Sequence, residues 1–120
     1  MAKGDDIQER LIRFAARIIK VCDALPSSIA GRHVAGQLLR SGTAPAPQHG
    51  EARSAESTED FVHKLKIAVK ELNESEVWLR IIIASDMLPA SQLTDLLDEC
   101  EQLQRILSAS IKTARNSVNR

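Results

Sequence analysis

Apolar side chains recur along the first 25 residues at alternating spacings of four and three, which is the pattern of a helix packed in a bundle. This seam consists of Ile7, Leu11, Phe14, Ile18, Val21 and Leu25. A second apolar stripe lies beside it and consists of Ile12, Ala15, Ile19 and Cys22. The opposite face carries Arg10, Arg13, Arg17 and Lys20, which we expect to be solvated. We therefore predict a helix over about 5–24 whose apolar arc is wider than one partner helix can cover.

The same spacing returns twice in the second half of the chain and predicts two long helices. The helix over about 57–86 carries along one side Phe61, Leu65, Ala68, Leu72, Leu79 and Ile82. The helix over about 90–116 carries Leu93, Leu96, Cys100, Leu103, Leu107 and Ala114. Ser57 or Thr58 can cap the first of them, because a hydroxyl there accepts a hydrogen bond from a free amide of the first turn.

A further helix, over about 28–50, is predicted after the turn LPSS, with Ser27 or Ser28 as its cap. Gly31 and Gly36 each weaken this helix by about 1 kcal/mol relative to alanine. Packing must therefore hold it, for instance by bringing another backbone close to the glycines.

The stretch SGTAPAPQHGEA, residues 41–52, interrupts this helix. Pro45 and Pro47 lack an amide hydrogen, so in a continued helix they would leave the carbonyls of Ser41 and Thr43 without donors. Taken alone, this argues for a helix that ends near Ser41. The alternative is a kinked helix whose freed carbonyls are met by hydroxyls, by water or by a neighbouring chain.

The composition favours one globular domain over residues 1–120, with 43% hydrophobic and 27% charged residues. Lysine plus arginine and aspartate plus glutamate number 16 each, so the total charge does not favour nucleic acid or an anionic membrane. No apolar run reaches the length of a membrane span, and the first residues lack an apolar signal region. We expect a cytoplasmic protein in which the two cysteines, Cys22 and Cys100, are packed thiols.

Several short motifs in the middle of the chain are individually modest and jointly specific. They read QLLRSGT-A-PAP, GEA, AES, DF-HKL-I and KEL-E. Together they resemble the central signature of the bacterial four-helix bundle proteins known as the 23S rRNA intervening-sequence family, and the resemblance runs from about Ile7 to Ala114. The chain departs from the family pattern after the second proline, where Gln48-His49 stands in place of Asn-Tyr.

The resemblance implies an antiparallel, up-and-down, all-α four-helix bundle whose second helix is kinked near Pro45 and Pro47 rather than ended. It also implies a homopentamer around a central channel and no established enzymatic activity. Some members are encoded inside ribosomal RNA genes. One relative accompanies the reverse transcriptase of diversity-generating retroelements and binds RNA and protein, so RNA or a ribonucleoprotein is the partner that the resemblance suggests.

The residues themselves predict no catalytic, cofactor-binding or metal site, and no small-molecule substrate. Asp60 and His63 form D-x-x-H on one helix, but a di-metal bundle site needs a second such pair and carboxylates from all four helices. No nucleophile elbow and no glycine-rich phosphate loop is present. We therefore expect a non-enzymatic scaffold or adaptor, and as the alternative a purely structural protein–protein interaction module.

Two sets of candidate contact residues follow. If the prolines direct the bent segment toward a neighbouring subunit or the channel, the candidate contacts are Ser41, Thr43, Pro45, Pro47, Gln48, His49, Glu51 and Trp78. The candidate RNA contacts lie in segments that lack acids and are Arg32, Arg40, Arg105, Lys112 and Arg115. The alternative for these bases is that acidic segments of neighbouring chains neutralise them within the assembly.

Overall fold

The computed structural model describes residues 4–118, and these residues form helices without any strand. Helix α1 spans Asp5–Ala24, the second helix consists of α2 (Ile29–Thr43) and α3 (Pro45–Arg53), α4 spans Thr58–Ala84 and α5 spans Thr94–Val118. A single 3-10 turn, Ala90–Gln92, precedes α5. The prediction of an all-α, up-and-down four-helix bundle is confirmed.

The core consists of the seams that the periodicity predicts. Large apolar side chains that are at most 2% exposed come from all four helices and include Leu11, Phe14, Ile18, Leu38, Leu65, Leu72, Leu79, Ile82, Leu96, Leu103 and Leu107. Each fully buried side chain of this size stabilises the fold by about 1.5–3 kcal/mol relative to an exposed one. The second apolar stripe of α1 is not covered within the chain, because Ile12 and Ile19 remain 46% and 45% exposed.

Serine hydroxyls begin two of the helices, as expected. Ser28 accepts a hydrogen bond from the amide of Gly31 at 3.0 Å, and Ser57 accepts one from the amide of Asp60 at 3.0 Å. Gly31 lies against the backbone of the preceding turn, since an added Cβ would be 2.0 Å from the carbonyl oxygen of Pro26. Gly36, in contrast, faces open space within the chain.

Helices α1 and α2 approach each other most closely at Gly42. A Cβ on Gly42 would lie 2.6 Å from Cγ2 and 3.0 Å from Cβ of Ile18, whose side chain is fully buried. The absence of a side chain at this position therefore sets the distance between the two helices.

The second helix bends at Ala44 and does not end there. Ala44 keeps helical dihedral angles, with φ −70° and ψ −36°, and its carbonyl accepts a hydrogen bond from the amide of Gln48 at 3.1 Å. Helical structure continues to Arg53, so the interpretation of a stop near Ser41 is wrong and the kinked helix is correct. The physical reason is that the fixed φ of proline suits a first helical turn, where its missing hydrogen is not needed.

Two hydroxyls support the turn just before the bend. Thr43 donates to the carbonyl of Leu39 at 2.7 Å, and Ser41 donates to the carbonyl of Leu38 at 3.4 Å. Ser75 of α4 donates to Ser41 at 2.9 Å, which makes a buried hydroxyl pair between the two helices. These hydroxyls bond to carbonyls one turn earlier in the chain and not to the carbonyls that the prolines leave free, which differs from the expectation.

The contact between Gly42 and Ile18 predicts the effect of a single methyl group. Gly42→Ala should destabilise the bundle by about 1–3 kcal/mol, because Ile18 is enclosed and cannot move aside without strain. Gly36→Ala is the matched control in the same helix and should be neutral or stabilise by up to about 1 kcal/mol, since a Cβ there meets nothing within 4 Å. Urea unfolding followed by circular dichroism measures both, and equal midpoints for the two variants would contradict the close approach.

Candidate functional site

The side chain of Gln8 in α1 makes hydrogen bonds that fix the bend. Gln8 donates from Nε2 to the carbonyl of Ala46 at 3.0 Å, and its Oε1 lies 2.5 Å from Nδ1 of His49. One amide therefore contacts both the backbone and a side chain of α3. With Nε2 engaged as a donor, Oε1 is an acceptor, which requires the proton of the neutral imidazole to be on Nδ1.

His49 is only 6% exposed. Burial lowers the pKa of its imidazole, and the charge of Arg53 lowers this pKa further, so the ring is neutral at physiological pH. Arg53 itself donates to the carboxylate of Asp5 at 2.5 Å, which joins the C-terminal end of α3 to the N-terminal end of α1. The segment around His49 is therefore fixed to α1 by the hydrogen bonds of the Gln8 side chain and by the ion pair between Arg53 and Asp5.

The remaining candidate contacts around the bend face in different directions. Ser41, Pro45 and His49 are buried inside the chain, because α1 and α4 cover that side of the bent helix. Thr43 and Gln48 are half-buried, and Pro47 and Glu51 are exposed. Any contact with a partner at this segment must therefore be made by the exposed members.

Two further details concern the side chains of Glu51 and Gln48 on α3. Glu51 accepts from Lys64 of α4 at 3.3 Å. Oε1 of Gln48 is buried without a hydrogen-bond partner among residues 4–118. A buried acceptor without a partner destabilises the fold by about 1–3 kcal/mol, and the packing of the surrounding side chains must offset this loss.

A charged network joins α2 to α4 across the bundle surface. Arg40 donates to Glu71 at 3.0 Å and also to Glu74. The hydrogen bond from Arg40, followed by one from the indole of Trp78 at 3.0 Å, lowers the pKa of Glu74. Trp78 and His33 pack in a T-shaped arrangement, with 6.0 Å between the ring centroids. Arg40 is therefore engaged within the chain, and Trp78 packs at the α2–α4 surface.

The other predicted RNA contacts are distributed over two helices. Arg32 donates to the carbonyl of Ser27, close to the start of its own helix. Arg105, Lys112 and Arg115 are exposed on α5.

Lys112 and Arg115 line one surface depression together with Lys66 of α4. We call Lys66, Lys112 and Arg115 the basic cluster. Within residues 4–118, none of the three has a carboxylate within ion-pair distance. Of the predicted RNA contacts, Arg105, Lys112 and Arg115 have no carboxylate within ion-pair distance in the described part of the chain, and the last two lie together in this cluster.

An exposed apolar surface flanks the contact between α1 and α2. Cys22 of α1 donates to the carbonyl of Ala35 of α2 at 3.4 Å, which marks the side on which the two helices meet. Along that side Ile12, Ile19 and Leu39 are 46%, 45% and 42% exposed. We call these three residues the apolar patch.

Both thiols are packed, as the sequence predicts. Cys100 is fully buried and donates to the carbonyl of Leu72 at 3.2 Å, while Cys22 is half-buried. Burial raises the pKa of Cys22 to about 11 and that of Cys100 to about 12. Neither thiol is ionised at neutral pH, so neither is an activated nucleophile.

Sequence reasoning missed two residues of α1 that tie the helices together. Gln8 was not singled out, and Arg10 was assigned to the solvated face. Arg10 is half-buried and makes a bidentate pair with Glu99 of α5, at 2.6 and 3.0 Å. The periodicity could have shown that Arg10 lies at the edge of the apolar arc, but it carries no information about a partner 89 positions away.

No helix within residues 4–118 is long and apolar enough to cross a lipid bilayer. In the same part of the chain, no three histidine, cysteine, aspartate or glutamate side chains come together as a metal site would require. Asp60 and His63 lie at the start of α4, where the amide of Asp60 is engaged by the Ser57 cap.

Comparisons with known proteins agree with this architecture. The family model described as 23S rRNA-intervening sequence protein matches residues 5–109. A crystal structure of a protein of unknown function from the S23 ribosomal protein family, from Bacteroides thetaiotaomicron, is 31% identical with a TM-score of 0.83. The match covers 88% of this chain and 98% of that chain. A comparison with curated proteins found no match. On the family match and the shared fold, this chain belongs to the 23S rRNA-intervening sequence protein family.

Proposed function

We propose that this protein is a non-enzymatic, homo-oligomeric scaffold, a ring of five copies, that binds RNA or a ribonucleoprotein partner. The observation that carries the proposal is the basic cluster, whose three cations have no acidic partner among the described residues. The family description refers to 23S rRNA, which is consistent with an RNA partner.

The apolar patch supports self-association. Isoleucine and leucine at three exposed positions of one surface leave apolar area in water that a neighbouring copy can cover. In a closed ring, the same contact is repeated by every copy. The number of five follows the family resemblance.

The distribution of charge supports a polyanionic partner at the α4–α5 surface. Arg40 and Arg32 are engaged within the chain, so the RNA-contacting role among the predicted bases falls to Arg105, Lys112 and Arg115. Lys112 and Arg115 lie together with Lys66, which the structure adds. A ring presents the cluster five times, and repeated weak contacts give avidity that a single copy lacks.

The alternative is a purely structural protein–protein interaction module. The net charge of zero and the internal pairing of Arg40 favour it, because both reduce the attraction to nucleic acid. Docking through apolar contacts would respond little to salt, whereas binding to phosphates weakens linearly in the logarithm of salt concentration.

The first test concerns assembly. Light scattering of the wild-type chain at micromolar concentration should give about 66 kDa, which is five times 13.2 kDa. Ile12→Lys with Ile19→Lys should dissociate the assembly, because each buried isoleucine contributes about 1.5–3 kcal/mol.

Ile29→Lys is the control, since Ile29 is 83% exposed and lies outside the apolar patch. This variant should keep the wild-type mass. A 13.2 kDa wild-type monomer would rule out the ring, and an unchanged mass in the double variant would rule out the patch as its interface.

The second test concerns RNA. A labelled single-stranded fragment of 23S rRNA is titrated with protein at several salt concentrations. Replacing Lys66, Lys112 and Arg115 with alanine should weaken binding and reduce the slope of log affinity against log salt by about two, since each lost phosphate contact removes roughly 0.7.

The matched control replaces Arg13, Arg17 and Lys20 with alanine, which removes the same charge from the exposed face of α1. Equal losses of RNA affinity in both triple variants would show a general electrostatic attraction to RNA without a defined binding site. Absence of binding by the wild type would favour the protein–protein module.

A further inference from the structure

A groove of about 640 Å³ opens at one end of the bundle, between the beginning of α1, the end of α3 and the last turns of α5. We call it the end groove, and its main lining residues are Ile7, His49, Arg53, Phe61, Leu65 and Ile106. It lies apart from the apolar patch and does not include any residue of the basic cluster.

The end groove exists because small side chains stand where larger ones would close it. On the α5 side, the positions after Ile106 that face it include Ala109, Ser110 and Ala114. On the other side, Phe61 and Leu65 form an apolar wall. A volume of this size is within the range of about 300–1,000 Å³ that accommodates small molecules.

His49 contributes an unpaired acceptor to this mixed apolar and hydroxyl-bearing surface. Its Nδ1 is fixed as a donor to Gln8, so Nε2 carries the lone pair. Nε2 has no hydrogen-bond partner among residues 4–118. It also stays accessible to solvent, because Oε1 of Gln48 is the only fully buried side-chain nitrogen or oxygen in that part of the chain that lacks a partner. His49 is 6% exposed and lines the groove, so the small part of its ring that stays open is available to a ligand there.

The charges around the groove favour a neutral ligand over an anion. Arg53 is the cation that lines the groove, and it is already paired with Asp5 at 2.5 Å. Burial and Arg53 both keep the pKa of His49 low, so the imidazole does not supply a second positive charge. The lining residues Arg53, Ser110, Thr113 and Ser117 carry donors, but none of them makes a hydrogen bond to Nε2 of His49. This acceptor therefore gains most from a donor that a ligand supplies.

We propose that the end groove binds a small, mainly apolar molecule that donates one N–H or O–H hydrogen bond to Nε2 of His49. Its apolar body packs on Phe61 and Leu65, and the small residues of α5 leave room for a flat ring system. This inference is independent of RNA binding, because it uses a different end and a different chemistry of the molecule.

The test uses a matched pair of probes, indole and 1-methylindole, titrated into the full chain and followed by NMR. The two probes share the flat apolar body, but only indole has an N–H to donate. Indole should shift the ring signals of His49 and bind about tenfold or more tightly than 1-methylindole, which would leave the acceptor unpaired.

Two variants keep the test decisive. His49→Phe retains an aromatic ring without the acceptor, so it should bind both probes equally. Ala114→Phe fills the groove and should abolish binding of both, while Ala84→Phe, an exposed position at the end of α4, should change nothing. If His49→Phe fails to fold, Ala114→Phe and the probe pair still decide. Equal affinities of the wild type for the two probes, no binding, or binding that survives Ala114→Phe would overturn the proposal.

Discussion

The missing amide hydrogens of Pro45 and Pro47 are the constraint on which the arrangement of the bundle depends. A straight second helix would need both hydrogens, and without them its backbone bends at Ala44 while keeping helical angles. The new direction is held by Gln8, whose side-chain amide bonds to the carbonyl of Ala46. Because α3 then packs on α1 and α4, the last turns of α5 are left uncovered on the side of α1, where the end groove opens.

The chemical character of the surface is divided among the helix pairs. The α1–α2 side is apolar around Ile19 and Leu39, whereas the α4–α5 side carries the unpaired bases of the basic cluster. Between them, Arg40 and its two glutamates close the α2–α4 side with internal ion pairs. Apolar contacts on one side and ionic contacts on another therefore do not compete for the same surface.

The fold could be predicted from the sequence largely because the heptad-like spacing of apolar residues fixes which face of each helix is buried. The caps at Ser28 and Ser57 were also accessible, since they depend on residues within one turn. The bend was a different case, because the residues alone favoured a helix stop and the family resemblance was needed to favour a kink.

The candidate site was less accessible, because its contacts join residues far apart in the chain. Gln8 and His49 are 41 positions apart, and the carboxylates that engage Arg40 lie 31 and 34 positions away. Periodicity reports the face on which a residue lies but not its partner. It could therefore predict that Arg40 is at the surface, but not that Glu71 and Glu74 already neutralise it.

The bend also divides the second helix into two segments, α2 and α3, that can unfold locally and independently of each other. The two prolines remove hydrogen bonds that would otherwise run from α3 back into α2, so α3 can unwind without breaking the ladder of α2. Its nine residues are few enough that their stability comes from packing and from the contacts to Gln8 and Asp5. Unwinding of α3 would uncover the face of α4 on which it packs, while the hydrogen bonds within α2 stay intact.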